Sequence, residues 1–550
     1  MRVLPTLPAI AWLTGIPLSY FAVGFSSNFH TSPYIIFLLA TLIHVFASLL
    51  TYSLLGKAKQ GFSSKRFDTW IALMLFASLA AFGLILFKMA EQFPSLFDAG
   101  FYHLEGTQWI PFAIGLLLAL PIFGWMLKLL KEKGMRNTPF GRFVDENLAG
   151  LLLSFCFFSI YLFLAAIFNQ PAFDADDIFF DSDARLWRWR FATEQTRDYY
   201  WRPVHPFVLI IVRPFVWLIS LFIKGDTLYA AFVLNAFAGA LCVFIVWYLA
   251  KRWSGNTLYA MLVAALFGAS TAQLIFSSLI ETYIYLAAVA LVFLLLLVTD
   301  KPLYMQVIAG LVAFGITISN LAQTFIAHLV IKQDIKKIVI YGLLVLAFIV
   351  PLTLLNEAAY PGSHPYFWDL KSYEGEGHNQ FQPTLERANL FARVMFLHSF
   401  VAPEPLIRME EDIPFRKVWM FRASIKRDPM QISRYVTDLS RVLVVAWMAL
   451  AALGGLLFLK NFRRQDNRLP LTFILILLFN FALHMRYGKD VFLYSVNWTY
   501  AIVLFLALAW KELADKRWFQ VSLLVFIALM MVNNSQLIFI MLSTSALHIK

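Results

Sequence analysis

This 550-residue chain has little charge and almost no cysteine: Asp, Glu, Lys and Arg make up 14% of it, and Cys156 and Cys242 are its two cysteines. Both lie inside apolar runs, which excludes a disulfide framework and a cysteine metal cluster and makes them core residues. A phosphate-cradling glycine loop, a zinc motif, a nucleophile elbow and an internal repeat of fixed period are also missing. Without a nucleotide-binding motif the chain does not read as a primary pump. What it has instead is hydrophobic residue, 60% of the total with 17% aromatic, more than a soluble globule can bury. Apolar runs of roughly 20 residues, enough to cross about 30 Å of hydrocarbon, recur from Leu4 almost to the C-terminus, about fifteen in all.

The fold class expected is therefore an all-α polytopic membrane protein. The first run, Leu4 to Phe25, is too long for a signal-peptide core and has only Arg2 before it, so it reads as a retained helix. The net charge of +12 sits in short loops between spans, as the positive-inside bias requires, and implies no nucleic-acid partner.

Those loops set the orientation. Lys57, Lys59, Lys65 and Arg66, and then Lys128, Lys131, Lys133, Arg136 and Arg142, mark one face as cytoplasmic. Spans near 5–25, 33–56, 68–89, 108–130 and 147–168 then deliver the acidic run Asp174 to Asp183 to the outer face. Lys251 and Arg252 read as cytoplasmic again, yet two apolar segments, 205–223 and 227–250, precede them. Only an odd number of crossings fits. Segment 205–223 carries Pro206, Arg213 and Pro214, so it is expected to lie along the interface or enter only partly. Further spans are read near 257–278, 281–298, 303–320, 322–333 and 337–355, and four more near 438–460, 469–485, 490–510 and 518–541. The resulting divisions are a four-span extension, 1–146; a core, 147–355, with an acidic outer loop at 169–205; an outer loop, 356–437, the only sizeable soluble portion; and a four-span C-terminal region, 438–550.

Five aspartates fall within residues 174–183. Carboxylates at the mouth of a membrane bundle are costly to hold and seldom serve packing, so they point to chemistry at the bilayer surface. Asp181 and Asp183 are the candidate catalytic bases, since they end the run just before the Arg- and Trp-rich stretch Ala184 to Phe191. Ser182 or Asp183 is expected to cap the interfacial helix that follows, and the bland reading makes Asp183 no more than that cap. Asp174, Asp176 and Asp177 read as a solvated loop.

A lipid phosphate would need fixed cations or donors nearby, and Arg185, Arg188, Arg190, Arg202, His205 and Arg213 supply them, although several must be ordinary interface anchors. Arg202 and His205 stand out because two prolines stiffen the Arg-Pro-Val-His-Pro run. Arg486 and Lys489 are basic on the outer face, where they can bind an anionic head group or simply pair with Asp490. Glu281 sits at a helix boundary on the same face, suited to a sugar hydroxyl, a second proton or an arginine. The 356–437 loop mixes Tyr360, His364, Tyr366, Trp368, His378, Arg387, Arg393 and His398 without metal-ligand spacing.

The order of these motifs is Asp181-Ser-Asp183, His205-Pro206 opening an apolar helix, a Lys-Arg loop, and Glu281-Thr-Tyr-Ile-Tyr285. It resembles the GT-C superfamily of polyprenyl-phosphate-sugar-dependent glycosyltransferases, which includes protein O-mannosyltransferases and aminoarabinose transferases. The likeness covers roughly residues 147–355. It implies a GT-C-like helix bundle with juxtamembrane helices in the outer loop, Asp181 or Asp183 as base, and Arg202 or His205 near the lipid phosphate. Asp-Ser-Asp replaces the adjacent Asp-Glu of well-known members, and four extra spans precede the core. The expected substrates are a polyprenyl-phosphate sugar donor and a lipid, glycan or protein hydroxyl, handled among membrane lipids at the outer face of a bacterial inner membrane. Beyond that lipid-linked donor no cofactor is implied, and a divalent metal is left open. Two other classes compete. A transporter or flippase would show paired broken helices or mid-span charges, and an oligosaccharide ligase or polymerase would rely on Arg387, Arg393 or His398.

Overall fold

The computed structural model describes residues 6–132, 138–170, 178–193, 203–360, 370–410, 413–423, 430–464 and 466–548. The first helices are α1 (Leu7–Ser27), α2 (Pro33–Ser64), α3 (Arg66–Ala90), α4 (Trp109–Glu132), α5 (Pro139–Phe168), α6 (Ala184–Ala192) and α7 (Val208–Ser220). Then come α8 (Thr227–Ser254), α9 (Thr257–Gly268), α10 (Thr271–Phe276), α11 (Tyr283–Val298), α12 (Leu303–Ile316), α13 (Leu321–Lys332) and α14 (Ile335–Ala359). After α15 (Leu385–Arg393) and two small hairpins, α16 (Asp438–Asn461), α17 (Arg468–His484), α18 (Val496–Ala509) and α19 (Arg517–Ala546) close the chain. The hairpins pair β1 (Leu406–Glu410) with β2 (Ile413–Trp419) and β3 (Phe421–Arg422) with β4 (Gln431–Ile432), both antiparallel. This is an all-α polytopic membrane protein, as helices satisfy their own backbone groups where no water can.

Among the described residues ten helices are long and apolar enough to cross a membrane, fewer than the run count suggests. The remaining runs are short or interrupted. The stretch 257–278 is two helices, α9 and α10, parted at Ala269 and Ser270, and 303–320 ends as a helix at Ile316. α13 has 12 residues, about 18 Å at 1.5 Å per residue. The last pair of spans begins at Val496 rather than near 490.

α5 and α8 run antiparallel. Lys251 Nζ, at the end of α8, donates to the Glu146 carbonyl near the start of α5 at 2.6 Å, and Lys57 pairs with Asp145 beside it at 3.1 Å. The chain between them makes no net crossing, which fits α7: its 13 residues span about 20 Å, short of the hydrocarbon thickness. The loops carrying Lys332 and Asp300, Lys460 and Glu512, and Asn256 and Asp515 are likewise tied in pairs, so the basic loops share one end of the bundle.

The N-terminal extension is not one layer. α1, α2 and α4 form small apolar clusters of their own, while Leu75, Leu79, Phe82 and Leu86 of α3 join the main core. Gly115 lets α4 approach α2, since a Cβ there would lie 2.7 Å from Ala40 Cβ and 2.8 Å from the Phe37 carbonyl oxygen.

The region 356–437 is not simply a soluble loop. After α15 a π-helical turn, Val394–His398, leads into a stretch buried inside the bundle, with Ser399, Phe400 and Val401 all at 0% exposure. This stretch fills the break between α9 and α10. Thr271 and Ala272 donate backbone N–H bonds to the Phe400 and Ser399 carbonyls at 3.2 and 3.0 Å. Asn534 Nδ2 donates to both the Ala269 and Phe400 carbonyls at 3.0 Å. Irregular backbone inside a membrane protein survives only with such partners.

Candidate functional site

Opposite the basic loops, four irregular segments meet: residues 178–183, the break between α10 and α11, the Thr317 to Asn320 turn, and the 485–495 connection. Each is anchored by specific bonds. Phe180 N–H donates to the Val418 carbonyl at 2.7 Å and Val418 N–H to the Ile178 carbonyl at 2.8 Å, stitching the acidic loop to β2. Phe180 and Asp181 both adopt left-handed backbone, φ 58° and 60°, which costs a residue with a side chain roughly 1–2 kcal/mol. The Phe180 ring holds this conformation in place, wedged against Phe492 at 5.1 Å and Phe276 at 6.4 Å between centroids.

Glu281 is buried at 1% exposure and clamps the same loop. Its Oε1 accepts from the Asp183 N–H at 2.6 Å, and its Oε2 from the Thr282 N–H at 3.0 Å. Both oxygens hold backbone, so Glu281 positions the acidic loop. Asp183 stands at the N-cap position of α6, without a side-chain capping hydrogen bond. Asp181, with an 11% exposed side chain, has Lys489 Nζ 4.0 Å from its Oδ1. It also neighbours Tyr494, whose phenol is raised well above its ordinary value by burial first and then by Tyr283, Tyr487 and the Asp181 charge.

Beside these carboxylates lies a cavity of about 460 Å³. His205, Thr317 and Ser319 line one wall, His484, Tyr494 and Asn497 the other, and Tyr283 also lines it. His205 Nδ1 lies 2.6 Å from the Ile316 carbonyl, so it carries a proton and donates that bond. Its ring packs edge-on against Trp187 at 5.2 Å. Among the described residues that line the cavity there is no lysine, arginine or carboxylate.

The 485–495 wall is built by residues that sequence reasoning assigned elsewhere or passed over. Arg387 is buried at 1% exposure and donates to the Met485, His484, Tyr487 and Gly488 carbonyls at 2.8 to 3.3 Å, capping the end of α17. Gly488 adopts φ 99°, and a Cβ there would meet the Tyr494 ring at 2.5 Å, so only glycine fits this turn. Asp490 does not pair with Lys489. It is buried at 0% and accepts the Met420, Phe421 and Phe492 N–H groups at 2.8, 3.2 and 2.9 Å. Burial pushes its carboxyl up to about 7, against the pull of those three donors.

The other predicted residues divide. Arg185 lies over the Trp189 ring of its own helix at 5.1 Å, and the Arg486 side chain is exposed while its carbonyl accepts from Phe381 N–H at 2.8 Å. Arg188 donates to the Asn169 and Gln170 carbonyls at 3.3 and 3.0 Å, and Arg213 to those of Arg190 and Thr193 at 2.7 and 2.9 Å. These two tie α6 to its neighbours. Asp174, Asp176, Asp177, Arg202, His364, Tyr366 and Trp368 lie outside the described residues. His398 is fully buried beside Ser433, and burial, then the Arg393 charge, lowers it to about 3. Among the described residues no group of three or more ligating side chains is placed to hold a metal ion. Comparison with family models, curated proteins and solved structures finds no match to this chain.

Proposed function

We propose that the protein is an integral membrane glycosyltransferase that moves one sugar from a polyprenyl-phosphate carrier to a hydroxyl of a lipid, glycan or protein. The observation that carries this reading is the convergence of Asp181, Asp183, Glu281 and Lys489 at one end of the bundle, beside a cavity within the range of about 300–1,000 Å³ typical of small-molecule sites. That end lies opposite the basic loops, so in a bacterial inner membrane it faces the periplasm and serves envelope glycan synthesis. The order of the acidic, His-Pro and Glu-Thr-Tyr motifs, which resembles GT-C transferases, supports the same conclusion.

The chemistry asks little of the chain. An acceptor hydroxyl attacks the anomeric carbon, an aspartate takes its proton, and the carbon–phosphate oxygen bond breaks, leaving polyprenyl phosphate. One displacement inverts the anomeric configuration. Asp181 is the favoured base because it neighbours Tyr494, which lines the cavity, while Lys489 supplies positive charge for the departing phosphate. Glu281 fixes the loop that carries both acids.

Two alternatives make different demands. A ligase or polymerase that relied on Arg387 and His398 would need them accessible, whereas Arg387 is engaged with four carbonyls and His398 is buried and neutral. A flippase finds one favourable feature, the helices broken at 269–270 and 317–320. Purified protein incubated with radiolabelled undecaprenyl-phosphate sugars and a membrane lipid extract separates these readings. A transferase yields labelled product, and Asp181→Asn with Asp183→Asn lowers the rate by at least about 100-fold, the scale of a lost general base. Full transfer by that double variant refutes the mechanism, and movement of carrier across proteoliposomes without transfer favours the flippase.

A further inference from the structure

The wall formed by α17 and α18 contains polar groups that the transfer mechanism does not use. His484 is 2% exposed and lines the cavity, stacked on Tyr494 with 4.2 Å between ring centroids. The Tyr487 backbone engages its ring, and no other hydrogen-bond partner of the ring is found among the described residues. Asn497, 5% exposed and lining the same cavity, has an Oδ1 with no hydrogen-bond partner among the described residues. Polar atoms buried this deeply carry a desolvation penalty unless something satisfies them, and two such residues on one cavity wall indicate a ligand that does.

The chemistry of the wall says which kind. With one side of the imidazole engaged by the Tyr487 backbone, its other nitrogen and the Asn497 amide oxygen remain, a pair suited to hydroxyl groups, which both donate and accept. Tyr283, Tyr487 and Tyr494 add aromatic faces and edges. No lysine or arginine is among the described lining residues. Lys489 lies 4.0 Å from Asp181, beside the cavity.

We propose that His484 and Asn497 form the sugar subsite, hydrogen-bonding the hydroxyls of the carrier's pyranose ring while its phosphate lies toward Lys489. This assignment rests on the glycosyltransferase reading for the identity of the carrier, but it is a statement about binding and is tested by binding. A site built to pair with hydroxyls rejects the analogue that lacks them, so it confers a preference for glycosylated over bare carrier.

The full chain in lipid nanodiscs is titrated with undecaprenyl phosphate and with its glucose, galactose, mannose and 4-amino-4-deoxyarabinose conjugates. The wild type binds at least one conjugate about tenfold more tightly than the bare carrier, as expected for two or three hydrogen bonds. In His484→Phe, Asn497→Leu the preference falls below about threefold while bare carrier binds as before, which also shows that the fold is intact. His484→Gln, which keeps a donor and an acceptor, recovers part of the preference. A preference retained in the double variant, no preference in the wild type, or equal loss for bare and glycosylated carrier each overturns the assignment. The transfer reading is judged separately: Asp181→Asn with Asp183→Asn abolishes transfer yet keeps the preference. If the wild type prefers a glycosylated carrier but never transfers its sugar, that reading fails and the subsite stands.

Discussion

Replacing Glu281 with alanine tests whether the acidic loop is held against its own strain. Two consecutive left-handed residues, Phe180 and Asp181, cost about 2–4 kcal/mol together. The charge-assisted bond from Asp183 N–H to Glu281 is worth about 1.5–3 kcal/mol, and each of the two backbone bonds to Val418 about 0.5–1.5 kcal/mol. With all three in place these bonds match or exceed the strain; without Glu281 the two to Val418 supply about 1–3 kcal/mol against it. The loop is therefore expected to open more often in Glu281→Ala. Hydrogen–deuterium exchange in peptides covering 178–192 accelerates about 10- to 100-fold, since about 1.4 kcal/mol corresponds to one decade. Peptides from α8 serve as an internal control and keep their protection. The measurement needs no knowledge of substrate. Unchanged exchange in 178–192 would mean that Glu281 does not hold the loop, and the positioning role assigned to it would be wrong.

Asp490 links the end of the bundle that carries the candidate site to pH. Its folded carboxyl, at about 7, lies above the ordinary value of 3.8, so the folded state binds the extra proton between those limits. Its contribution to stability is therefore fully present below 3.8 and lost as pH rises through about 7. Thermal melts should show this slope from pH 4.5 to 7 in the wild type and a flatter one in Asp490→Asn; identical slopes would remove Asp490 from the account. Asn534→Leu leaves the Ala269 carbonyl and the Ala402 N–H buried without their partner, at about 1–3 kcal/mol each, while the Phe400 carbonyl keeps its bonds from Thr271, and should lower the melting temperature in detergent by several degrees. Gly115→Leu should separate α4 from α2 and expose the 1–60 region to protease while the core keeps its melting temperature. Gly83→Leu, at a position where a Cβ meets nothing within 4 Å, is the control that should change neither.

The sequence made the coarse fold legible because hydropathy and charge act over whole segments. Ten of the roughly fifteen expected spans, the shared face of the basic loops and the non-crossing α7 all follow from run length and the positions of Lys and Arg. The convergence of Asp181, Glu281 and Lys489 was legible for the same reason, since topology alone puts them at one end. What stayed hidden depends on pairwise contacts. Lys489 and Asp490 are adjacent in sequence, yet one turns to Asp181 and the other to the β2–β3 junction. Arg387 looked like a loop cation free to meet phosphate, but the carbonyls ending α17 claim it. His484 drew no notice because an isolated histidine at the end of an apolar run carries no pattern.

The breaks in the helices link these two kinds of failure. Hydropathy averages across Ala269-Ser270 and Thr317-Ile318-Ser319 without registering that the helix stops there, because the composition on both sides is the same. In a bilayer a stopped helix leaves carbonyl and N–H groups that lipid cannot satisfy, so each break must be met by protein or open onto a polar cavity. The first is met by Asn534 and the 399–400 backbone. The second contributes Thr317, Ile318 and Ser319 to the wall facing His484 and Asn497. A break met entirely by protein serves architecture, whereas one that opens onto a cavity exposes polar groups to whatever enters. By that criterion the 317–320 turn belongs to the site. Replacing Ser319 with valine should alter carrier binding without shifting the melting temperature, and a change in melting with binding intact would assign the turn to architecture instead.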